Sequence, residues 1–384
     1  MSSTITVAVK FITGPKNVDG VKDLKVVASL QNTGDETLKI LKDPRGVLST
    51  LPTETFGITD VQGVTPSFKG VKVKFVPEHA AKLEDSFAIL EPGQSIEVEH
   101  NREYLTSFEL GDGHGANHLY IQTVSSAYNF TLPGEGLYDI HADNLFQIVD
   151  PTTKKLTELR ANQQTSLQAN IKGELVLDLG FELDLNKTVP EKLEKKATYK
   201  SCSSTRQSKI DEAATAAHNY ASSASSYLNS LSSGSSRYTT WFGTYTTSRK
   251  NTVANNFDAI KGYSFHGETY DCSCTKPNVF AYVEGKSPLS LHLYHSNLNL
   301  FSYTVGNYGV IHLCGAFWDA PVTGTDSQAG TLVHEVSHFK RIAGTDDIVY
   351  GQSDARSLAS SKPGQAVQNA DNYEFFAEND PALS

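Results

Sequence analysis

The stretch Thr331-Leu332-Val333-His334-Glu335-Val336-Ser337-His338-Phe339 constrains this chain more than any other. Its two histidines stand four residues apart, so on a helix they share one face, about one turn from each other. Two neutral imidazoles placed in this way can bind a single Zn²⁺ through their ring nitrogens. Glu335 points near the same side, where it can take a proton from water. Leu332, Val333, Val336 and Phe339 supply an apolar stripe, and Gly330 and Gly344 bracket the segment. The pattern predicts a packed helix that carries two metal ligands and a general base.

A catalytic zinc usually takes three protein ligands and keeps one position open. The chain has no H-x-x-G-x-x-H continuation: Arg341 stands where its glycine would be and Gly344 where the third histidine would be. That excludes the metzincin pattern. The segment after the helix instead reads Gly344-Thr345-Asp346-Asp347-Ile348-Val349-Tyr350-Gly351. A glycine just past a helix turns the chain back, and either carboxylate, Asp346 or Asp347, could then reach the metal.

H-E-x-x-H with a downstream G-T-x-D-x-x-Y-G resembles the aspzincins, the deuterolysin-type zinc endopeptidases. The resemblance implies that Asp347, not Asp346, is the third ligand beside His334 and His338, and that Tyr350 stabilises the oxyanion. Three further stretches are similar to one branch, the fungal peptidyl-Lys metalloendopeptidases: Arg237-Tyr238-Thr239-Thr240-Trp241-Phe242-Gly243, Cys314-Gly315-Ala316-Phe317-Trp318 and Asn369-Ala370-Asp371-Asn372-Tyr373-Glu374. The likeness spans nearly the whole chain, although its specific motifs all lie after residue 230. It implies one zinc per catalytic domain and hydrolysis with Glu335 as the proton carrier.

Length and charge agree with this. A chain of 384 residues is comfortable for two domains, and 39% apolar residues suffice for a core in each. A formal net charge of −10 argues against nucleic acid or an anionic membrane as partner and suits basic substrates. No stretch is long and apolar enough to span a bilayer. Four cysteines, all after residue 200, suggest an oxidising compartment. The cysteines point to a secreted protein, and a monomer is expected. Met1 to Lys10 lacks the basic and apolar regions of a signal peptide, so secretion implies one outside this sequence.

Residues 1–190 read as β structure. Leu24, Val26, Ala28 and Leu30 alternate with other residues, Asn32-Thr33-Gly34-Asp35 turns, and Leu38 and Ile40 resume the pattern. Val71, Val73 and Phe75 alternate with Lys72 and Lys74, and Ile96, Val98, Leu175, Leu177 and Leu179 extend the series. Short alternating strands between turn residues predict an all-β antiparallel sandwich. His114 and His118 fall in a Gly-rich loop and read as solvated. Residues 191–197 form a charged linker with the dibasic pair Lys195-Lys196, and a processing site needs such exposure. The resemblance implies that the first half is a propeptide that partners the enzyme, and that the mature protein begins at Thr198.

Residues 198–384 predict an α+β, zincin-like domain. Ile210, Ala213, Ala214, Ala217, Tyr220 and Ala221 recur at helical spacing, and Trp241 and Phe242 open a second helical stretch through Val253, Phe257 and Ile260. Strands are expected at Val279–Val283 and Val310–Leu313. Cys272 and Cys274 are too close in sequence to bond each other easily, which leaves two cross-pairings with Cys202 and Cys314. The resemblance favours Cys202–Cys272 with Cys274–Cys314. Residues 103–125 and 286–309 depart from the family pattern as longer segments, the second holding His292 and His295, which read as exposed loop residues.

Asp371 and Glu374 admit two readings. At i and i+3 they share a helix face, and the resemblance puts that acidic face at an S1′ pocket for lysine. The same D-x-x-E spacing also fits a helix N-cap with its capping-box partner. The sequence thus points to a latent zinc endopeptidase that cuts on the N-terminal side of lysine in polypeptides. A broad-specificity deuterolysin is the rival enzyme, and a non-catalytic β-sandwich binding protein with a degenerate zinc domain is the rival outside enzymes. An intact Glu335 argues against the last.

Overall fold

Alternation and turn chemistry account for the strands of the first half. In the computed structural model, Val26–Asn32 buries Val26, Ala28 and Leu30 completely. Its last residue, Asn32, is buried too, and its amide builds the next turn: Nδ2 donates to the carbonyls of Glu36 and Leu90 at 2.8 and 2.9 Å, and Oδ1 accepts from the Gly34 N–H at 2.9 Å. The chain then resumes as Leu38–Leu41.

The structure describes residues 5–11, 17–49, 51–100, 127–150, 152–153, 155–163, 166–175, 197–284 and 310–383. His114, His118, Leu177, Leu179, the Lys195-Lys196 pair and the long segments 103–125 and 286–309, with His292 and His295, lie outside them. The described chain divides into two compact units, one of residues 1–71 with 81–187, the other of residues 72–80 with 188–384.

In the first unit, one sheet runs Asn162–Gln163, Ile5–Phe11, Val26–Asn32, Ser95–His100. A second runs Asn17–Gly20, Leu167–Glu174, Gly136–Ala142, Phe56–Asp60. A third runs Leu156–Arg160, Leu145–Val149, Leu38–Leu41, Phe87–Leu90. Their inward residues, among them Leu30, Ile40, Ile58, Tyr138, Ile140 and Ile171, form one core. The unit is not antiparallel throughout: Ile5–Phe11 pairs in parallel with Asn162–Gln163, and Leu167–Glu174 with Asn17–Gly20. Both pairs join segments about 150 residues apart in sequence, where no hairpin forces the antiparallel sense.

The second unit is α+β. Its sheet has the order β2 (Thr198–Lys200), β3 (Thr269–Asp271), β5 (Ile311–Leu313), β4 (Val279–Glu284), β1 (Val71–Phe75). β2, β3 and β5 are parallel, and β4 is antiparallel to β5. Helices α1 (Ser204–Ser230), α2 (Ser236–Phe242), α3 (Thr247–Lys261), α4 (Gly315–Asp319), α5 (Gln328–Ser337), α6 (Gly351–Ser361) and α7 (Ala370–Glu378) surround a core that includes Trp241, Phe257, Leu332, Val336, Tyr373 and Phe376. The buried face of α1 is mostly alanine, so α3 and α5 can approach its backbone closely. Cys202 is bonded to Cys272 and Cys274 to Cys314, which staples the end of β3 on both sides.

Two expectations from the sequence are corrected here. The stretch from Trp241 to Ile260 is two helices, not one. Gly243 has φ +71°, and a Cβ there would lie 2.2 Å from the Ala359 carbonyl oxygen, so the chain turns before Thr246 caps α3. The alternating strand Val71–Phe75, read as part of the first-half sheets, instead forms the outer strand of the second unit's sheet beside β4.

Candidate metal centre

Helix α5 is capped by Ser327, whose hydroxyl accepts from the Gly330 N–H at 2.9 Å, and all of its residues are buried. His334 lies in its last turn, and His338 continues the helical geometry as the C-cap. Their rings lie 4.8 Å apart, centroid to centroid. Gly344, at φ +62°, then reverses the chain.

The returning segment is held from several sides. The Thr345 N–H donates to the Ser337 carbonyl at 3.1 Å, and the Thr345 carbonyl lies 2.9 Å from His338 Nδ1. Asn369 Oδ1 accepts from the N–H groups of Ile348 and Val349 at 2.9 and 3.1 Å. These bonds bring Asp347 Oδ1 to 3.2 Å from His334 Nε2 and 3.3 Å from His338 Nε2. Asp346 faces elsewhere, with Oδ1 2.6 Å from Lys72 Nζ. Burial alone would raise Asp347, but the two histidines, His338 foremost, outweigh it and hold the carboxyl well below its ordinary range.

Helix α7 lies against α5. Its N-cap is Asn369, not Asp371, so the D-x-x-E pair is not a capping box. Asp371 Oδ2 instead accepts from the Gly351 N–H at 2.6 Å, while Oδ1 lies 2.9 Å from His334 Nδ1. Glu374 Oε2 lies 3.3 Å from the same nitrogen. Lys74, fully buried, points its Nζ at both carboxylates, 3.3 Å from Asp371 and 2.8 Å from Glu374, and reaches Asp326 at 3.3 Å. Burial would depress this ammonium; Asp371, Glu374 and Asp326 outweigh it and hold it well above its usual value.

The profile of the aspzincin family, described as lysine-specific metallo-endopeptidase, matches residues 227–295 and 286–378. The chain is 44% identical to the peptidyl-Lys metalloendopeptidase of Grifola frondosa over 375 residues, which are 97% of this chain and 93% of that one. This protein is an aspzincin. The aspzincin is also 41% identical to the peptidyl-Lys metalloendopeptidase of Armillaria mellea, over 97% of this chain and 92% of that one. Against the extracellular protease of Aeromonas hydrophila the identity is 32%, over 94% and 89%. A zinc peptidase structure from Grifola frondosa aligns at 45% identity over 48% of this chain and 100% of that one, with a TM-score of 0.40.

The aspzincin is a zinc metalloendopeptidase, and its residues fit the ion. His334 Nε2, His338 Nε2 and Asp347 Oδ1 lie within 4.8 Å of one another, and none has a hydrogen-bond partner outside this trio, although buried polar atoms are normally paired. Two imidazole nitrogens and one carboxylate oxygen form a donor set suited to zinc. The far nitrogen of each ring is also held, His338 by a backbone carbonyl and His334 by carboxylates, the usual arrangement behind metal-binding histidines. Glu335 is buried beside them, and burial raises its carboxyl well above the ordinary range against the opposing pull of His334. Tyr350 is buried, with its ring 5.6 Å from that of Phe75.

Sequence reasoning missed two participants. Lys74 was visible only as the polar half of an alternating strand. Asp326, at φ +50° just before the α5 cap, belongs to no motif. Aspartate tolerates that left-handed conformation better than most residues, and this was the one local signal available.

Proposed function

We propose that this aspzincin hydrolyses peptide bonds on the N-terminal side of lysine and is made as a latent, extracellular proenzyme. One observation carries the specificity: a lysine ammonium already sits, wholly buried, between Asp371 and Glu374 and beside Asp326. A compact point charge on a long stem reaches such a cluster, whereas a planar guanidinium needs a wider, forked site. The extracellular reading is supported by two disulfides and by the name of the Aeromonas relative.

In this reading His334, His338 and Asp347 hold the zinc, which when bound acidifies water and polarises the peptide carbonyl. Glu335 takes the proton from water and delivers it to the leaving amine. The Tyr350 hydroxyl donates to the developing oxyanion, a contribution typically worth about 3 kcal/mol. Asp371 and Glu374 receive the substrate lysine and orient His334 through Nδ1. Residues 1–190 act as propeptide, 191–197 as processing linker and 198–384 as the enzyme.

The test is a set of peptides that differ only in the residue after the cut. Lysine should exceed arginine and alanine in kcat/KM by at least about a hundredfold, or ~3 kcal/mol. Equal rates for all three would point instead to a broad-specificity enzyme.

A further inference from the structure

The segment Lys72-Val73-Lys74-Phe75 meets the requirements of a substrate, and it belongs to this chain. Strand β1 sits at the outer edge of the sheet beside β4, and extended peptides commonly bind a protein by adding a strand to a sheet edge. Alternation puts Lys72 and Lys74 on one face. Lys72 meets Asp346 at 2.6 Å, and Lys74 meets Asp371, Glu374 and Asp326, with its ammonium also 4.8 Å from the centre of the Phe375 ring. A buried ammonium is tolerated only when it is paired in this way.

The backbone is in register as well. The Val73 N–H donates to Asp347 Oδ2 at 2.7 Å, and the Lys74 N–H donates to Glu335 Oε1 at 3.2 Å. In hydrolysis before a lysine, that lysine's own nitrogen becomes the leaving amine, and the proton carrier must reach it. Here Glu335 already touches it.

We propose that Val73–Lys74 is a self-processing site. The segment fills the cleft as an internal substrate, keeps the intact chain latent, and is the first bond the enzyme cuts. This rests on the proposed lysine specificity. In the step, the C–N bond between Val73 and Lys74 breaks. Water supplies hydroxyl to the Val73 carboxyl and a proton, carried by Glu335, to the Lys74 amine. Latency arises from tethering, because an internal ligand competes at an effective concentration that free peptides seldom reach.

The experiment uses the full chain with zinc, incubated with denatured casein, and reads new N-termini in both proteins by terminal labelling and mass spectrometry. Casein termini that begin with lysine test the proposed function; a chain terminus at Lys74 tests this inference. The expected result is a Lys74 terminus that appears at a rate independent of protein concentration, before casein is cut, and is absent from Glu335→Gln. In metal-free Glu335→Gln, Lys74 should resist an amine-acylating reagent that modifies exposed lysines, a readout that needs no activity. Lys74→Ala should shorten the lag before casein cleavage at least tenfold. Casein cut before lysine with no Lys74 terminus overturns the proposal, as does a Lys74 terminus that persists in Glu335→Gln or a Lys74 acylated as readily as exposed lysines. The comparison of wild type with Glu335→Gln holds even if Lys74→Ala fails to fold.

Discussion

Asp371 combines three contacts on one carboxylate: the Gly351 N–H, His334 Nδ1 and Lys74 Nζ. In the proposed reading, specificity and metal binding therefore share a group. Asp371→Asn with Glu374→Gln should lower kcat/KM for lysine substrates by one to two orders of magnitude, about 1.4–3 kcal/mol. It should also weaken zinc binding by about tenfold or more, because both carboxylates orient His334. Asp326→Asn separates the two effects. Asparagine keeps the left-handed backbone, and Asp326 meets the ammonium but is absent from the His334 contacts. A loss of about fivefold in kcat/KM with unchanged zinc affinity is expected from parallel kinetics and metal titration. Glu335→Gln should keep its zinc and lose nearly all peptidase activity. Asp347→Ala should lose the metal, while Asp346→Ala, altered only where Lys72 meets it, should keep it. The histidine spacing was legible because it depends on one helix turn; the glycine reversal offered Asp346 and Asp347 alike, and the resemblance to the aspzincins singled out Asp347. Asp326 was not, because its partner lies 252 residues away and no local pattern marks it.

At the N-terminus of α5, further contacts hold the helix besides its apolar stripe. Glu378, from the end of α7, accepts from the Ser327 N–H and hydroxyl, both at 2.8 Å, placing a carboxyl at the positive end of the helix. A Cβ on Gly330 would lie 2.1 Å from Glu378 Oε1. Helix propensity alone would favour Gly330→Ala by about 1 kcal/mol. The clash should outweigh it, for a net loss of about 1–3 kcal/mol, measured as a lower Tm by differential scanning calorimetry. Strand β1 shows where reading by period stops. Alternation identified Val71, Val73 and Phe75 as one face, but it does not report what the opposite face meets. Lysines on a strand normally read as solvated, and only tertiary structure reveals the three carboxylates around Lys74. The break at Gly243 was missed for a related reason, since the carbonyl that excludes a side chain there comes from Ala359 in α6.

For the whole molecule, the proposed latency requires an inactive precursor and an active product. Thr198 opens β2, and its N–H donates to the Glu268 carbonyl at 2.9 Å, so a product that begins much later would lose the sheet's first strand. N-terminal sequencing of the active form should return Thr198 or a close neighbour, and residues from the first-half strands would contradict this. Acid should weaken the first unit. His100 is held below its ordinary value of 6.5 by burial, despite a bond to the Val47 carbonyl. The unfolded chain then binds the extra proton first, so the stability of the first unit is retained above pH 6.5 and declines as pH falls below it. Urea melts of Glu335→Gln between pH 7.5 and 5 should show this decline, and His100→Gln should flatten it. In the proposed reading, the protein is a zinc endopeptidase that selects lysine after the cut. The most direct test is digestion of a denatured protein mixture by the processed enzyme, with every new N-terminus read by mass spectrometry. Nearly all new termini should begin with lysine, and chelation of zinc should abolish them; termini spread over many residue types would contradict the claim.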